Sequence, residues 1–126
     1  MVMPARRILV VDDNEALREN LAELLQAEGY EVDTAADGAA ALSRLATDPL
    51  PHVVLLDLHL PGLDGRKIVE RIRADPRLAA LRVVLSTGLP TPQLRATVPA
   101  NAFLPKPFGM HDLLSTLDDV CGGAAA

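Results

Sequence analysis

Apolar residues fall along this chain in two alternating patterns. Short continuous runs begin at Ile8, Val53, Val83 and Ala102. Lacking polar alternation, they predict strands covered on both faces, over 8–11, 53–56, 83–87 and 102–104. Residues 30–34 instead alternate Tyr, Glu, Val, Asp, Thr, which predicts a strand with one face exposed near the sheet edge. Between these runs the apolar positions take helical spacing. Leu17, Leu21, Leu24 and Leu25 form the first such stripe, capped by Asn14 or Asp13 and ended at Gly29 in a left-handed conformation. Asp37 begins a second helix over 39–46. A third, over 66–74, buries Ile68, Val69 and Ile72 before Pro76 stops it. Thr91 caps and Pro92 starts a fourth that Pro99 limits to about Thr97, and Met110, Leu113, Leu114, Leu117 and Val120 mark the last. Residues 121–126 read as a frayed tail.

This βα alternation, five times over, predicts an α/β fold: a doubly wound, five-stranded parallel sheet of flavodoxin-like order 2-1-3-4-5, with a shortened fourth helix. Such sheets collect chemistry at the carboxyl ends of their strands, near the switch point between strands one and three. Strand one ends in Asp12 and Asp13, and strand three in Asp57, after which Pro61, Gly62 and Gly65 turn the chain away. A single strand-end Asp is usually a cap or a loop-amide acceptor. Carboxylates from two strand ends, however, repel when ionised and form a hard oxygen site suited to a divalent ion such as Mg²⁺. Thr87 and Lys106 stand at the ends of strands four and five. A hydroxyl and an ammonium converging on a carboxylate and a cation suit a transferred phosphoryl group, whose charge spreads over its oxygens in the transition state.

Composition narrows the field of partners. At 126 residues the chain makes one domain, with a core over about 7–120. Its aromatics are Phe103, Phe108 and Tyr30, too few for a base-stacking platform, and its net charge of −5 argues against nucleic acid as a direct partner. The apolar run after Arg6 and Arg7 is too short for a signal peptide or membrane span. A lone cysteine, Cys121, allows no internal disulfide and points to a reducing cytoplasm. His52, His59 and His111 lack zinc-site spacing.

In this order and spacing, Asp12 and Asp13, Asp57 with Pro61, Asp64 and Gly65, Thr87, and Lys106 with Pro107 and Phe108 closely resemble the receiver domain of two-component response regulators. The likeness spans Arg7 to about Val120. It implies that Asp57 accepts a phosphoryl group from a histidine kinase or phosphotransfer protein, or from a small donor such as acetyl phosphate. It further implies that Asp13 ligates Mg²⁺ directly, that Asp12 supports the ion partly through water, and that the His59 carbonyl is another ligand. Lys106 would bind Asp57 before transfer and a phosphoryl oxygen after it. Thr87 would follow the phosphoryl group and vacate space for Phe103, the switch aromatic.

Two features depart from the family pattern: Gly88 follows the threonine, where alanine is commoner, and Phe103 stands where tyrosine is frequent. The segment 87–106 is also short and proline-rich. With Arg95 the only charged residue in the fourth helix, activation is expected to leave the protein monomeric and to reshape loop 88–99 for a heterologous protein partner, unless the phosphoryl group is relayed onward. A constitutive receiver-like scaffold is the main alternative, and the complete set of Asp12, Asp13, Asp57, Thr87 and Lys106 weighs against it. A Mg²⁺-dependent phosphatase of the haloacid-dehalogenase type would need a second carboxylate where this chain has His59, and a cap insertion that it lacks.

Overall fold

The computed structural model describes residues 6–122. Five strands, β1 (Arg7–Val11), β2 (Glu31–Ala35), β3 (Val53–Asp57), β4 (Arg82–Thr87) and β5 (Ala102–Pro105), alternate with five helices. The helices are α1 (Glu15–Ala27), α2 (Gly38–Leu45), α3 (Gly65–Ala74), α4 (Pro92–Thr97) and α5 (Met110–Val120). All neighbouring strands pair in parallel, in the order β2-β1-β3-β4-β5. The expected topology is therefore observed.

Period-two alternation splits the buried strands between two cores. Leu9, Val11, Val54, Leu56, Val83 and Leu85 pack against α2, α3 and α4 through residues such as Leu45, Ile68, Ile72 and Leu94. Ile8, Val10, Val53, Leu55, Val84 and Leu104 face α1 and α5, meeting Leu21, Leu25, Leu113 and Leu117. Each such side chain stabilises the fold by about 1.5–3 kcal/mol relative to exposure, so the central strands hold the sheet rigid. β2 has mostly exposed positions, as its alternation predicts for an edge.

Helix ends follow their capping residues. Asn14, Asp37, Asp64 and Thr91 each accept a backbone N–H at a helix N-terminus, and Gly29, at φ +96°, supplies the left-handed turn after α1. α4 has the six residues that its flanking prolines predict. Some boundaries shift by a residue or two: α2 begins at Gly38 and ends at Leu45, and β2 spans Glu31–Ala35. The α1 stripe needs a correction, because Leu24 is 40% exposed while Leu21 and Leu25 are buried. Three residues of helix rotate Leu24 about 60° away from Leu21, beyond the face that meets the sheet. At the other end of the chain, Cys121 and Gly122 form a turn after α5, and the rest of the expected tail lies outside the described residues. No helix among the described residues is long and apolar enough to cross a membrane.

Candidate functional site

Parallel register brings the strand ends together. Val11 pairs with Leu56, Leu56 with Leu85, and Thr87 with Pro105, so Asp12, Asp57, Thr87 and Lys106 emerge side by side at one edge of the sheet. Gly65 lets the β3–α3 loop close against this edge. A Cβ there would lie 2.6 Å from the Asp57 carbonyl oxygen and 2.7 Å from Leu58 Cα, closer than atoms can pack. The Gly65 amide donates to the Leu58 carbonyl at 2.9 Å. Any larger residue would thus displace the backbone that carries Asp57.

Lys106 lies between two carboxylates. Its Nζ donates to Asp12 Oδ2 and to Asp57 Oδ2, each at 3.1 Å. Burial pulls the ammonium pKa down, but the hydrogen bonds and charges of Asp12 and Asp57 more than offset this, and the pKa is raised. The second partner, Asp12, was not part of the sequence-based expectation. Asp12 and Asp57 are 5% and 6% exposed, and both have a second tether. Asp12 Oδ1 accepts the Asn14 amide at 2.9 Å, and Asp57 Oδ1 accepts the His59 amide at 3.1 Å.

Asp13 differs from both. It is exposed and makes no hydrogen bond or ion pair among the described residues, yet it can bring an oxygen within 4.8 Å of oxygens from Asp12 and Asp57. At an effective dielectric of about 20, two full charges at that separation repel by about 3 kcal/mol. One ammonium cannot neutralise three carboxylates, so the cluster favours a further cation. Its all-oxygen donors fit a hard divalent ion such as Mg²⁺ better than zinc or copper.

The remaining expected residues lie around this centre. Thr87 is buried at the end of β4, where its Oγ1 accepts the Leu89 amide at 3.3 Å and its carbonyl accepts the Lys106 amide at 2.9 Å; the hydroxyl bonds neither the Asp57 carboxylate nor the Lys106 ammonium among the described residues. Phe103 is half-buried on the other face of β5, with the Arg95 guanidinium 5.3 Å from its ring centre. The His59 side chain is exposed in the loop after Asp57. Two contributors escaped the sequence reading. Arg18 donates from α1 to the Asp12 carbonyl at 2.9 Å, and Ser86, the register partner of Asp57, is buried. A polar residue inside an apolar strand was the available signal for Ser86; nothing local marked Arg18.

The model of the response regulator receiver domain matches residues 8–118. Among curated proteins, the chain is 36% identical to response regulator MprA of Mycolicibacterium vanbaalenii over 134 aligned positions, covering 98% of this chain and 57% of that protein. It is 48% identical to response regulator PleD of Caulobacter vibrioides over 83 positions, covering 66% of this chain and 18% of PleD. The chain thus spans little more than half of MprA and a smaller part of PleD. Among solved structures, chemotaxis protein CheY4 of Vibrio cholerae superimposes with a TM-score of 0.86 at 32% identity, covering 93% of this chain and 99% of that one. The receiver domain of sensor histidine kinase PA1611 from Pseudomonas aeruginosa, described with a magnesium ion coordinated in its active site cleft, gives 0.85 at 27% identity, covering 95% and 100%.

Proposed function

Since the chain belongs to the response-regulator receiver family of two-component signalling, we propose that it is a phosphorylation switch in which Asp57 accepts a phosphoryl group from a histidine kinase or phosphotransfer protein. The observation that carries this reading is Lys106 Nζ, 3.1 Å from both Asp12 and Asp57 at the meeting point of three strand ends. A lysine so placed holds the acceptor carboxylate in position and moves with the charge once that carboxylate is esterified.

In the transfer step an oxygen of Asp57 attacks phosphorus. The new P–O bond forms as the P–N bond to the donor imidazole breaks, and the electron pair stays on nitrogen. A carboxylate nucleophile carries no proton to be removed and so needs no general base. Asp13, Asp12, Asp57 and the His59 carbonyl would hold Mg²⁺, which supplies positive charge to offset the repulsion between the carboxylates and the incoming phosphoryl oxygens. Lys106 stabilises the same charge from the β5 side. Thr87, once its hydroxyl turns from the Leu89 amide to the phosphoryl group, draws the β4–α4 loop inward and frees space for Phe103. Water attack on phosphorus reverses the modification, releasing inorganic phosphate and restoring the carboxylate, so the domain serves as a timed switch and not as an enzyme acting on separate substrates.

Incubation with acetyl phosphate and Mg²⁺ is expected to add one phosphoryl group by intact mass, and Asp57→Asn to abolish the addition. Incorporation that survives this substitution would assign the acceptor elsewhere. The signal would then pass to a heterologous protein partner, or onward in a relay, in the cytoplasm. The six-residue α4, its Arg95 engaged on Phe103, and Leu89, 76% exposed beside Thr87, support an output through the β4–α4 loop by a monomer. Sedimentation with and without beryllofluoride and Mg²⁺ is expected to give the same monomeric mass; an activation-dependent dimer would place the output on the α4–β5–α5 face.

A further inference from the structure

Ser86 is 3% exposed, and its hydroxyl is the buried side-chain group left without a hydrogen-bond partner among the described residues. Buried polar groups are almost always satisfied, and an exception calls for a reason. Position supplies one. Ser86 is the β4 residue in register with Asp57 on β3 and with Leu104 on β5. Val53 and Leu55, Val84, and Leu104 all lie in the core on the α1 and α5 side, so alternation places Asp57, Ser86 and Lys106 on that same face of the sheet. The Ser86 and Asp57 backbones are therefore a strand spacing of about 4.8 Å apart, with both side chains on the face where Lys106 meets Asp57. The Ser86 backbone is also tied to this loop, since its carbonyl accepts the Leu58 amide at 2.9 Å.

On the reading of Asp57 as phosphoacceptor, we propose that Ser86 is a positioning residue whose hydroxyl is unengaged at rest and bonds Asp57 once that residue carries the phosphoryl group. At rest, both Asp57 oxygens already have charged or backbone donors, Lys106 on Oδ2 and the His59 amide on Oδ1. Esterification changes the competition for Lys106. The acyl carbonyl oxygen is neutral while the phosphoryl oxygens carry charge, and a charge-assisted bond is about twice as strong as a neutral one. Lys106 therefore turns from Asp57 Oδ2 toward the phosphoryl group, and of the two lone pairs on that buried acyl oxygen the one not given to the cation is left open to a new donor. Ser86 supplies it by rotation about one side-chain bond, without backbone movement. A hydroxyl whose partner exists only in the phosphorylated state biases the switch toward that state, as any group with differential contacts must.

The test is beryllofluoride binding, followed by NMR at saturating Mg²⁺, alongside thermal unfolding of the resting protein. Ser86→Ala is expected to weaken beryllofluoride binding about five- to tenfold, the value of one buried hydrogen bond. The resting melting temperature should hold or rise, because no resting bond is lost. Val84→Ala, which opens a cavity on the same strand face, should lower the melting temperature and leave the affinity unchanged. Wild-type affinity in Ser86→Ala, a lowered resting melting temperature in that variant, or an equal loss of affinity in Val84→Ala would each overturn the assignment. Asp57→Asn separates this inference from its premise. If that variant binds beryllofluoride as the wild type does, the phosphoacceptor reading fails; if only Ser86→Ala is silent, the role of Ser86 alone is lost.

Discussion

The two edges of the sheet handle charge in opposite ways. At the carboxyl edge, Asp12 and Asp57 share one ammonium, that of Lys106, and Asp13 adds a third carboxylate to the cluster. At the amino edge, guanidinium groups are satisfied chiefly by backbone carbonyls. Arg73 donates to Ala79, Leu81 and Pro99 and to the Asn101 side chain; Arg7 donates to Leu50, Arg77 to Leu45, and Arg82 to Ala80 and Val120. Arg73 has no carboxylate partner among the described residues, and its burial together with the nearby charge of Arg82 pushes its pKa down. Carbonyl oxygens without donors accumulate where loops feed into parallel strands, and a planar guanidinium can bind several at once. The amino edge is thus closed electrostatically and braces the fold. The carboxyl edge stays short of positive charge, which suits it to bind a cation and a reacting group. The same sheet separates stability from chemistry by strand direction.

The sharpest break of this comparison lies at Arg73. Arg73→Ala removes donors to four acceptors and is expected to cost about 2–3 kcal/mol of stability, read as a lower urea midpoint, while phosphoryl incorporation by the folded variant stays at the wild-type level. A large loss of incorporation in folded protein would mean that the two edges are coupled. Next comes the difference between neighbouring carboxylates. Asp13 has no hydrogen-bond or ion-pair partner among the described residues, whereas Asp12 is held by Lys106 and the Asn14 amide. Asp13→Ala should therefore weaken Mg²⁺ binding by about tenfold or more, and Asp12→Ala by less. Isothermal titration of both variants decides the order, and equal losses would show that the roles are shared.

The smallest effect is expected at His52. Its Nδ1 accepts the Arg7 amide at 2.9 Å, a bond that only the unprotonated nitrogen can make. Burial, then the charges of Arg7 and Arg6, lower its pKa. The unfolded state consequently binds the proton more readily, so this contribution to stability is present above about pH 6.5 and is lost as pH falls through the lowered folded value. His52→Asn, which retains an acceptor that does not titrate, should flatten this part of the pH–stability curve. An unchanged slope between pH 7 and 5 would assign it to another group.

Much of this architecture is legible in the sequence because local physics dominates there. Thr91, Pro92 and Pro99 specify a six-residue α4 by capping and steric exclusion alone, and Asp37 marks the start of α2 by its side-chain acceptor. Leu24 escaped because helical spacing identifies a stripe without saying how wide a face the sheet covers. Arg18 escaped because its target is a backbone oxygen, which every residue possesses.

The order of strands, and with it the gathering of Asp12, Asp13, Asp57, Thr87 and Lys106 at one edge, was determined by the sequence, since continuous apolar runs must be buried and right-handed crossovers leave little choice of topology. Which atoms of that edge bond was decided only by tertiary structure. Lys106 meets Asp57 across 49 residues and Asp12 across 94, and the Ser86 hydroxyl loses water without gaining a partner among the described residues because of what surrounds it. Such contacts depend on register and on the reach of flexible side chains to within tenths of an ångström, and neither composition nor periodicity carries that information.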